Sequence, residues 1–192
     1  METKLTILAP FFENLNKEFH IRELSRLLKI NHTTVRQYLN KLVKENYINL
    51  EKSKLYPSYK LNQSAKTLNL KLFYNLEKLR ISGILKDLEN FYEFPVIVLF
   101  GSYSKATDDE TSDIDIAILS NINKDFETNK YKKTLNREIN IHLFSDKFLK
   151  EIKKSNPGLI NNICNGIVLS GKLEIIWQIL MNVLKKEKQK KP

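Results

Sequence analysis

Residues 94–120, FPVIVLFGSYSKATDDETSDIDIAILS, decide the fold of the second half of the chain. Five apolar residues that begin at Val96 predict a buried strand, and this strand ends at Gly101. Asp113 and Asp115 then open a second apolar run, which predicts a neighbouring strand. Because alternate residues of a strand share a face, the two carboxylates point the same way while the isoleucines beside them enter the core. The stretch therefore places two acids at the mouth of a hydrophobic sheet.

The acid pair predicts a metal site. Two carboxylates a few ångströms apart repel each other unless a cation lies between them. Because hard oxygen ligands favour magnesium or manganese, Asp113 and Asp115 are the candidate ligands for Mg2+ (or Mn2+). An alternative is a surface hairpin in which these residues only form turns, but charge at the edge of an apolar strand is costly without a cation. The neighbouring acids at 108–110 predict a solvated loop.

The turn before the acid pair predicts a phosphate site. Glycine at the end of a buried strand lets a ligand approach the backbone closely. The amides that follow Gly101, together with the Ser102 hydroxyl, are suited to cradle phosphate oxygens. The Gly-Ser turn and the Asp-x-Asp pair are each weak evidence for a nucleotide site when taken alone. Their order along the chain is a strong combined signal: strand, Gly-Ser, short helix or loop, Asp-x-Asp, strand.

This order resembles the nucleotidyltransferase superfamily that includes DNA polymerase β, and especially its minimal nucleotidyltransferase branch. Gly101-Ser102-Tyr103 and Ser112-Asp113-Ile114-Asp115 carry the resemblance, which covers roughly residues 90–170. It implies an α/β (α+β) fold with a short mixed sheet flanked by helices. It also implies that the Gly-Ser turn binds a nucleoside triphosphate and that the two aspartates bind the divalent metal.

Two positions depart from the family pattern. Lys105 stands where the family often has an arginine, which keeps the charge but not the bidentate fork, and it is a further candidate for binding the triphosphate. Active members also usually carry a third carboxylate on a neighbouring strand. The candidate strand begins near Arg137, and its polar face offers Glu138, Asn140 and His142. Glu138 is a candidate third catalytic acid, Asn140 the alternative occupant of the acidic position, and His142 a base or a structural histidine.

The first third of the chain predicts helices followed by a hairpin. Apolar residues recur at helical spacing in residues 3–15, and two clearer helical patterns follow, separated by a turn that Asn31 closes as a helix cap. Residues 48–61 then predict a β-hairpin. Residues 3–61 resemble the winged-helix family of DNA-binding domains. The resemblance implies DNA contacts from a recognition helix and a wing: Thr33, Thr34, Arg36, Gln37, Asn40, Lys41, Lys52 and Lys54.

The predicted organisation is a winged helix-turn-helix at 1–61, a helical connection at 62–93 and a nucleotidyltransferase-like domain at 94–192. Gly83 predicts a break within the connection. More helices are predicted after residue 145, including one or two across 156–186. The single cysteine, Cys164, excludes an intrachain disulfide and is expected to be a small core residue.

Composition narrows the class of protein. The 192 residues carry a net charge of +10, which indicates polyanionic partners, either nucleic acid or nucleoside triphosphate. Charge alone does not choose between them. The sequence contains no apolar stretch long enough to cross a bilayer and no secretory signal, so we expect a cytoplasmic protein without membrane contact. A homodimer is left open.

Two hypotheses about function follow. The first is metal-dependent transfer of a nucleoside monophosphate from a nucleoside triphosphate to a hydroxyl of a protein or an RNA, with DNA bound by the winged helix. A protein acceptor would match the minimal nucleotidyltransferases of toxin–antitoxin pairs. The alternative is a DNA-binding transcriptional regulator or antitoxin. Its nucleotidyltransferase domain would then be catalytically weakened and serve as a nucleotide sensor or docking module.

Overall fold

Two units make up the chain in the computed structural model, which describes residues 2–51, 56–145 and 157–172. The N-terminal unit comprises residues 1–76 together with the loop 106–111. The C-terminal unit comprises residues 77–105 and 112–192. Residues 146–155 of the predicted helix at 145–155, and the part of the predicted helices beyond residue 172, lie outside the described residues.

The N-terminal unit begins with three helices and a two-stranded antiparallel sheet. The elements are α1 (Glu2–Glu13), α2 (Ile21–Leu28), α3 (His32–Lys44), β1 (Ile48–Glu51) and β2 (Ser58–Leu61). The predicted cap at Asn31 is confirmed, because its side chain accepts a hydrogen bond of 2.9 Å from the Thr33 N–H. Element types and order agree with the sequence interpretation, while assignment to the winged-helix family stays a prediction.

Aromatic and aliphatic side chains of the three helices and the hairpin form one core. Phe11 and Phe19 meet edge to face at 4.9 Å within this core. Pro10 lies inside α1, in the third turn of the helix. Leu24 is fully buried, whereas Leu27, three residues later in α2, is 58% exposed.

Two helices connect the hairpin to the second sheet. They are α4 (Ala65–Ser82) and α5 (Ile84–Phe91), and the break predicted at Gly83 is confirmed. Gly83 has φ +80°, a left-handed conformation that ends one helix and starts the next.

The C-terminal unit contains a four-stranded mixed sheet, as predicted. Its strands are β3 (Val96–Phe100), β4 (Ile114–Leu119), β5 (Ile139–Phe144) and β6 (Ile167–Ser170), in the order β5-β4-β3-β6. The β4 and β5 strands are parallel, and the other pairs are antiparallel. Short helices lie between the strands: α6 (Gly101–Ser104), α7 (Asn129–Leu135) and α8 (Pro157–Cys164).

Two predictions about the region after residue 156 are wrong. Helix was predicted throughout, but the chain leaves α8 at Cys164 and forms β6 against β3. The run Ile167-Val-Leu lies between Gly166 and Gly171, and these glycines end the helix and the strand. Cys164 was expected in the core but is exposed, because it faces away from the sheet that buries Ile163.

No helix in the described ranges is both long enough and apolar enough to cross a bilayer.

Candidate functional site

The acid pair lies at the start of the central β4 strand. Asp113 immediately precedes β4, and Asp115 is its second residue, paired with Phe100 on one side and Asn140 on the other. Ile114 is fully buried, whereas Asp113 is exposed and Asp115 partly exposed. The predicted alternation of core and acid is therefore confirmed. The central position in the sheet brings both neighbouring strands to the same carboxylates.

Gly101 closes one wall of this cluster. It follows β3 with φ +76°, a conformation that glycine adopts without strain. A Cβ placed on Gly101 would lie 2.6 Å from Asp115 Oδ2, closer than real Cβ contacts allow. The absent side chain therefore lets the end of β3 approach the carboxylate. The first turn of α6 begins here, so Ser102 lies next to this approach, partly buried.

Asn140 contacts both acids from the neighbouring strand. Its Nδ2 donates hydrogen bonds to Asp113 Oδ2 at 3.2 Å and to Asp115 Oδ1 at 3.3 Å. The parallel register that pairs Asn140 with Asp115 places the amide there. Of the residues considered for the third acidic position, Asn140 is thus the one that lies against the pair.

His142 contacts the same carboxylate oxygen. Its Nε2 lies 3.4 Å from Asp115 Oδ1, and in the tautomer that carries the hydrogen on Nε2 this nitrogen donates to the carboxylate oxygen. The ring packs edge to face on Phe100 with 5.1 Å between centroids. Asp115 Oδ1 is consequently held between an amide and an imidazole.

Glu138 has other partners in the structure. Its exposed carboxylate forms an ion pair with Lys132, and its backbone carbonyl accepts a 2.9 Å hydrogen bond from the Ile114 N–H. It lies one residue before β5 begins. Its role as a third catalytic carboxylate stays a prediction, and so does the role of the exposed Lys105 in binding a triphosphate.

The residues present fit a hard divalent cation that brings further ligands with it. Within the described ranges, no group of three or more His, Cys, Asp or Glu residues forms a complete metal cage. Asp113 and Asp115 supply two carboxylates, and Asn140 supplies an amide whose oxygen is also a hard ligand. Mg2+ is commonly held by one or two carboxylates plus substrate phosphates and water. The donor set matches that mode rather than a closed structural site.

The exposed face of α3 carries the predicted DNA-contacting residues. Residues 33, 36, 37, 40 and 41, which recur every three or four positions and so share one face of the helix, are exposed to solvent. Lys44 is also exposed and extends this face by one turn. The described members of the predicted set are exposed, except Thr34, which is partly buried: Thr33, Thr34, Arg36, Gln37, Asn40 and Lys41. Lys52 and Lys54 lie outside the described residues. Lys44 was not in the predicted set, although its spacing from Lys41 could have identified it.

A second acid cluster lies in the N-terminal unit and corrects one expectation. Asp108 was predicted to lie in a solvated loop, but it is only 1% exposed. Lys71, itself fully buried, forms a 2.8 Å ion pair with Asp108 Oδ1 and also donates to the Asp108 carbonyl. Asn75 Nδ2 donates to the same carboxylate oxygen at 2.8 Å. Burial is tolerated because the charge is paired and hydrogen-bonded.

Comparison with known families agrees with the geometry of the C-terminal unit. Residues 82–174 match the family model described as Polymerase beta, Nucleotidyltransferase. No curated protein matches the chain. The match contains β3, the Gly-Ser turn, the acid pair and Asn140, and it supports the predicted nucleotidyltransferase superfamily for this segment. It therefore supports nucleotidyl transfer as the general chemistry.

Proposed function

We propose that the C-terminal unit transfers a nucleoside monophosphate from a nucleoside triphosphate to a hydroxyl of a protein or an RNA. The observation that carries the proposal is the convergence of the Gly101 turn with Asp113 and Asp115 at one end of the β3–β4 pair. This arrangement puts a backbone suited to phosphate beside carboxylates suited to a cation. The two acceptor classes are a protein side chain, as in the minimal nucleotidyltransferases of toxin–antitoxin pairs, and an RNA 3′ end.

The proposed reaction is an in-line displacement at the α-phosphorus. The acceptor hydroxyl oxygen forms a bond to this phosphorus, the bond to the oxygen that bridges the β-phosphorus breaks, and pyrophosphate leaves with the electron pair. The hydroxyl proton passes to water. Asp113 and Asp115 would hold the divalent ion, and Gly101 and Ser102 would hold the phosphates. A bound Mg2+ or Mn2+ neutralises charge on the phosphates.

DNA binding by the N-terminal unit is the second part of the proposal. The exposed polar stripe of α3 contains Arg36 and Lys41, and no ion pair among the described residues uses either side chain. Arginine and amide side chains suit base edges in the major groove, while lysines suit phosphates. The hairpin that follows α3 takes the place of the wing. A cytoplasmic location, where DNA and nucleoside triphosphates are both present, belongs to the same proposal.

Label transfer tests the proposed reaction. The protein is incubated with each α-32P-labelled nucleoside triphosphate, Mg2+ or Mn2+, and cellular RNA and protein. Wild type is expected to label an acceptor, and Asp113→Asn and Asp115→Asn are expected to lose the label by about a thousandfold, since each removes a cation ligand. Glu110→Gln, an exposed acid of the loop before β4, is the matched control. Persistent labelling in both aspartate variants would overturn the assignment.

A salt-dependent gel shift with the gene's own upstream DNA tests the second part. Arg36→Ala is expected to weaken binding by about 1–3 kcal/mol, because arginine contacts to bases or phosphates are lost. Lys17→Ala removes the same charge from a side chain that is already paired with Glu23, and it should bind like wild type. Equal binding by Arg36→Ala and wild type would argue against α3 as the interface.

A DNA-binding regulator or antitoxin with a catalytically weakened, nucleotide-sensing domain is the second candidate. The observation that favours it is the amide of Asn140 beside the acid pair, where a third acid would bind metal more strongly. Under this alternative, wild type retains nucleotide in the presence of metal but labels no acceptor. Label transfer in the preceding assay excludes it.

A further inference from the structure

The Asn140 side chain lies where the two carboxylates converge. Its Nδ2 is within hydrogen-bonding distance of Asp113 Oδ2 and of Asp115 Oδ1. An amide nitrogen has two hydrogens, so one can be directed to each oxygen. A cation held at this position would be bound by the same two carboxylates. Amide and cation therefore compete for one pair of acceptors.

This contact relieves part of the repulsion between the two acids. Among the described residues, no lysine or arginine forms an ion pair with Asp113 or Asp115, and His142 is the single basic side chain recorded beside them. The amide hydrogens of Asn140 place partial positive charge beside both carboxylates. A cation that arrives alone must displace these hydrogen bonds and gains only two charged ligands.

We propose that Asn140 makes cation binding at the acid pair dependent on the nucleoside triphosphate. The inference rests on the proposed function and deepens it. Phosphate oxygens add ligands and negative charge that the protein lacks at this position, so the ion binds when it arrives with the nucleotide. The Asn140 amide also has an oxygen, so after rotation of the amide this side chain would supply a hard ligand to the ion in place of a competing donor.

An aspartate at position 140 would behave differently. Three carboxylates with no amide donor would attract a cation without help from phosphate, because affinity rises with the number of charged ligands. Asn140 is thus the residue that decides whether metal or metal–nucleotide is the species bound. Its position is fixed by the β4–β5 register and not by a flexible loop.

Equilibrium dialysis with Mn2+ tests the inference. Protein-bound manganese is measured with and without a non-hydrolysable α,β-methylene triphosphate analogue in both chambers. For wild type, the analogue is expected to tighten manganese binding at least about tenfold. Asn140→Asp is expected to bind manganese without analogue at least about tenfold more tightly than wild type, with a smaller gain from the analogue.

Asn136→Asp is the charge-matched control. Asn136 is exposed at the turn between α7 and β5, and within the described ranges its side chain forms no hydrogen bond with the acid pair, so its variant should behave like wild type. If Asn140→Asp binds manganese no more tightly than wild type, or if wild type binds equally with and without analogue, the inference is overturned.

The outcomes for the inference and for the proposed function are separable. Label transfer by wild type with no tightening in Asn140→Asp overturns the inference alone. Tightening in Asn140→Asp and an analogue effect in wild type, with no label transfer from any nucleotide, support the inference and overturn the transferase proposal.

Discussion

The chain contains two acid clusters, at Asp108 and at Asp113, five residues apart in sequence. In each, an asparagine donates a hydrogen bond to a carboxylate, but the two clusters differ in the source of positive charge. In the first, Asp108 is buried with Lys71 and Asn75. In the second, Asp113 and Asp115 are at least partly exposed and meet Asn140 and an imidazole, with no lysine or arginine paired to them among the described residues. A buried acid that carries its own cation is part of the fold, whereas an open acid pair without one suits a cation from solution.

The largest expected effect comes from breaking the buried cluster. Lys71→Met leaves the Asp108 carboxylate buried without its charge partner, so we expect a loss of about 3–5 kcal/mol in the free energy of unfolding. Urea denaturation measures it. Lys105→Met, which removes an exposed lysine, should change stability by no more than about 0.5 kcal/mol.

A paired substitution sharpens this expectation. In Lys71→Met/Asp108→Leu, both charges are removed together, and such replacements are often close to neutral. The double variant should regain most of the stability that the single variant loses. A single variant as stable as wild type would show that Lys71 and Asp108 do not form the buried pair.

A smaller effect is expected at the glycine beside the open cluster. Gly101→Ala puts a residue with a side chain at a φ of +76°, which is strained, and places its Cβ 2.6 Å from Asp115 Oδ2. We therefore expect about 2–3 kcal/mol of destabilisation. Gly83→Ala has a similar φ of +80° but no atom within 4 Å, and should lose only about 1 kcal/mol. Thermal unfolding compares Gly83→Ala, which has only the backbone strain, with Gly101→Ala, which has the backbone strain and the close contact with Asp115. Equal losses would show that the Asp115 carboxylate moves away at no cost and that its position does not depend on glycine at 101.

The sequence predicted the open cluster better than the buried one. Alternation of acids and isoleucines in β4 is a local signal, and so is the glycine that ends β3. Lys71 and Asp108 are 37 residues apart, and three consecutive acids at 108–110 have the composition of a solvated loop. One local signal was available: Thr67, Lys71 and Asn75 recur every fourth residue, which places three polar side chains on one buried face of α4.

The choice between Glu138 and Asn140 could not be made from the sequence for a different reason. Both lie on the polar face of one predicted strand, and only the strand register decides which faces Asp115. The parallel pairing of β4 with β5 puts Asn140 there and leaves Glu138 to Lys132. The strand β6 was missed because its four residues, between two glycines, are too few to show the hydrophobic periodicity that distinguishes a strand from a helix.

The smallest expected change in protein stability comes from replacing an acid of the open cluster. Asp113→Asn removes one of two neighbouring negative charges and keeps an oxygen that accepts from Asn140, so stability should stay within about 0.5 kcal/mol or rise. Asp108→Asn, the same change in the buried cluster, should destabilise the protein by several kcal/mol. Urea denaturation of the two variants gives the comparison. A large loss in Asp113→Asn would mean that the open acids are structural.

The most direct test of the central claim is anomalous diffraction from crystals grown with Mn2+ and a non-hydrolysable triphosphate analogue. We predict a manganese peak between the Asp113 and Asp115 carboxylates, with the triphosphate against the Gly101–Ser102 turn, and no peak at Asp108. A crystal in which the Asp113 and Asp115 carboxylates are well ordered, with or without bound analogue, but show no manganese peak would contradict the account.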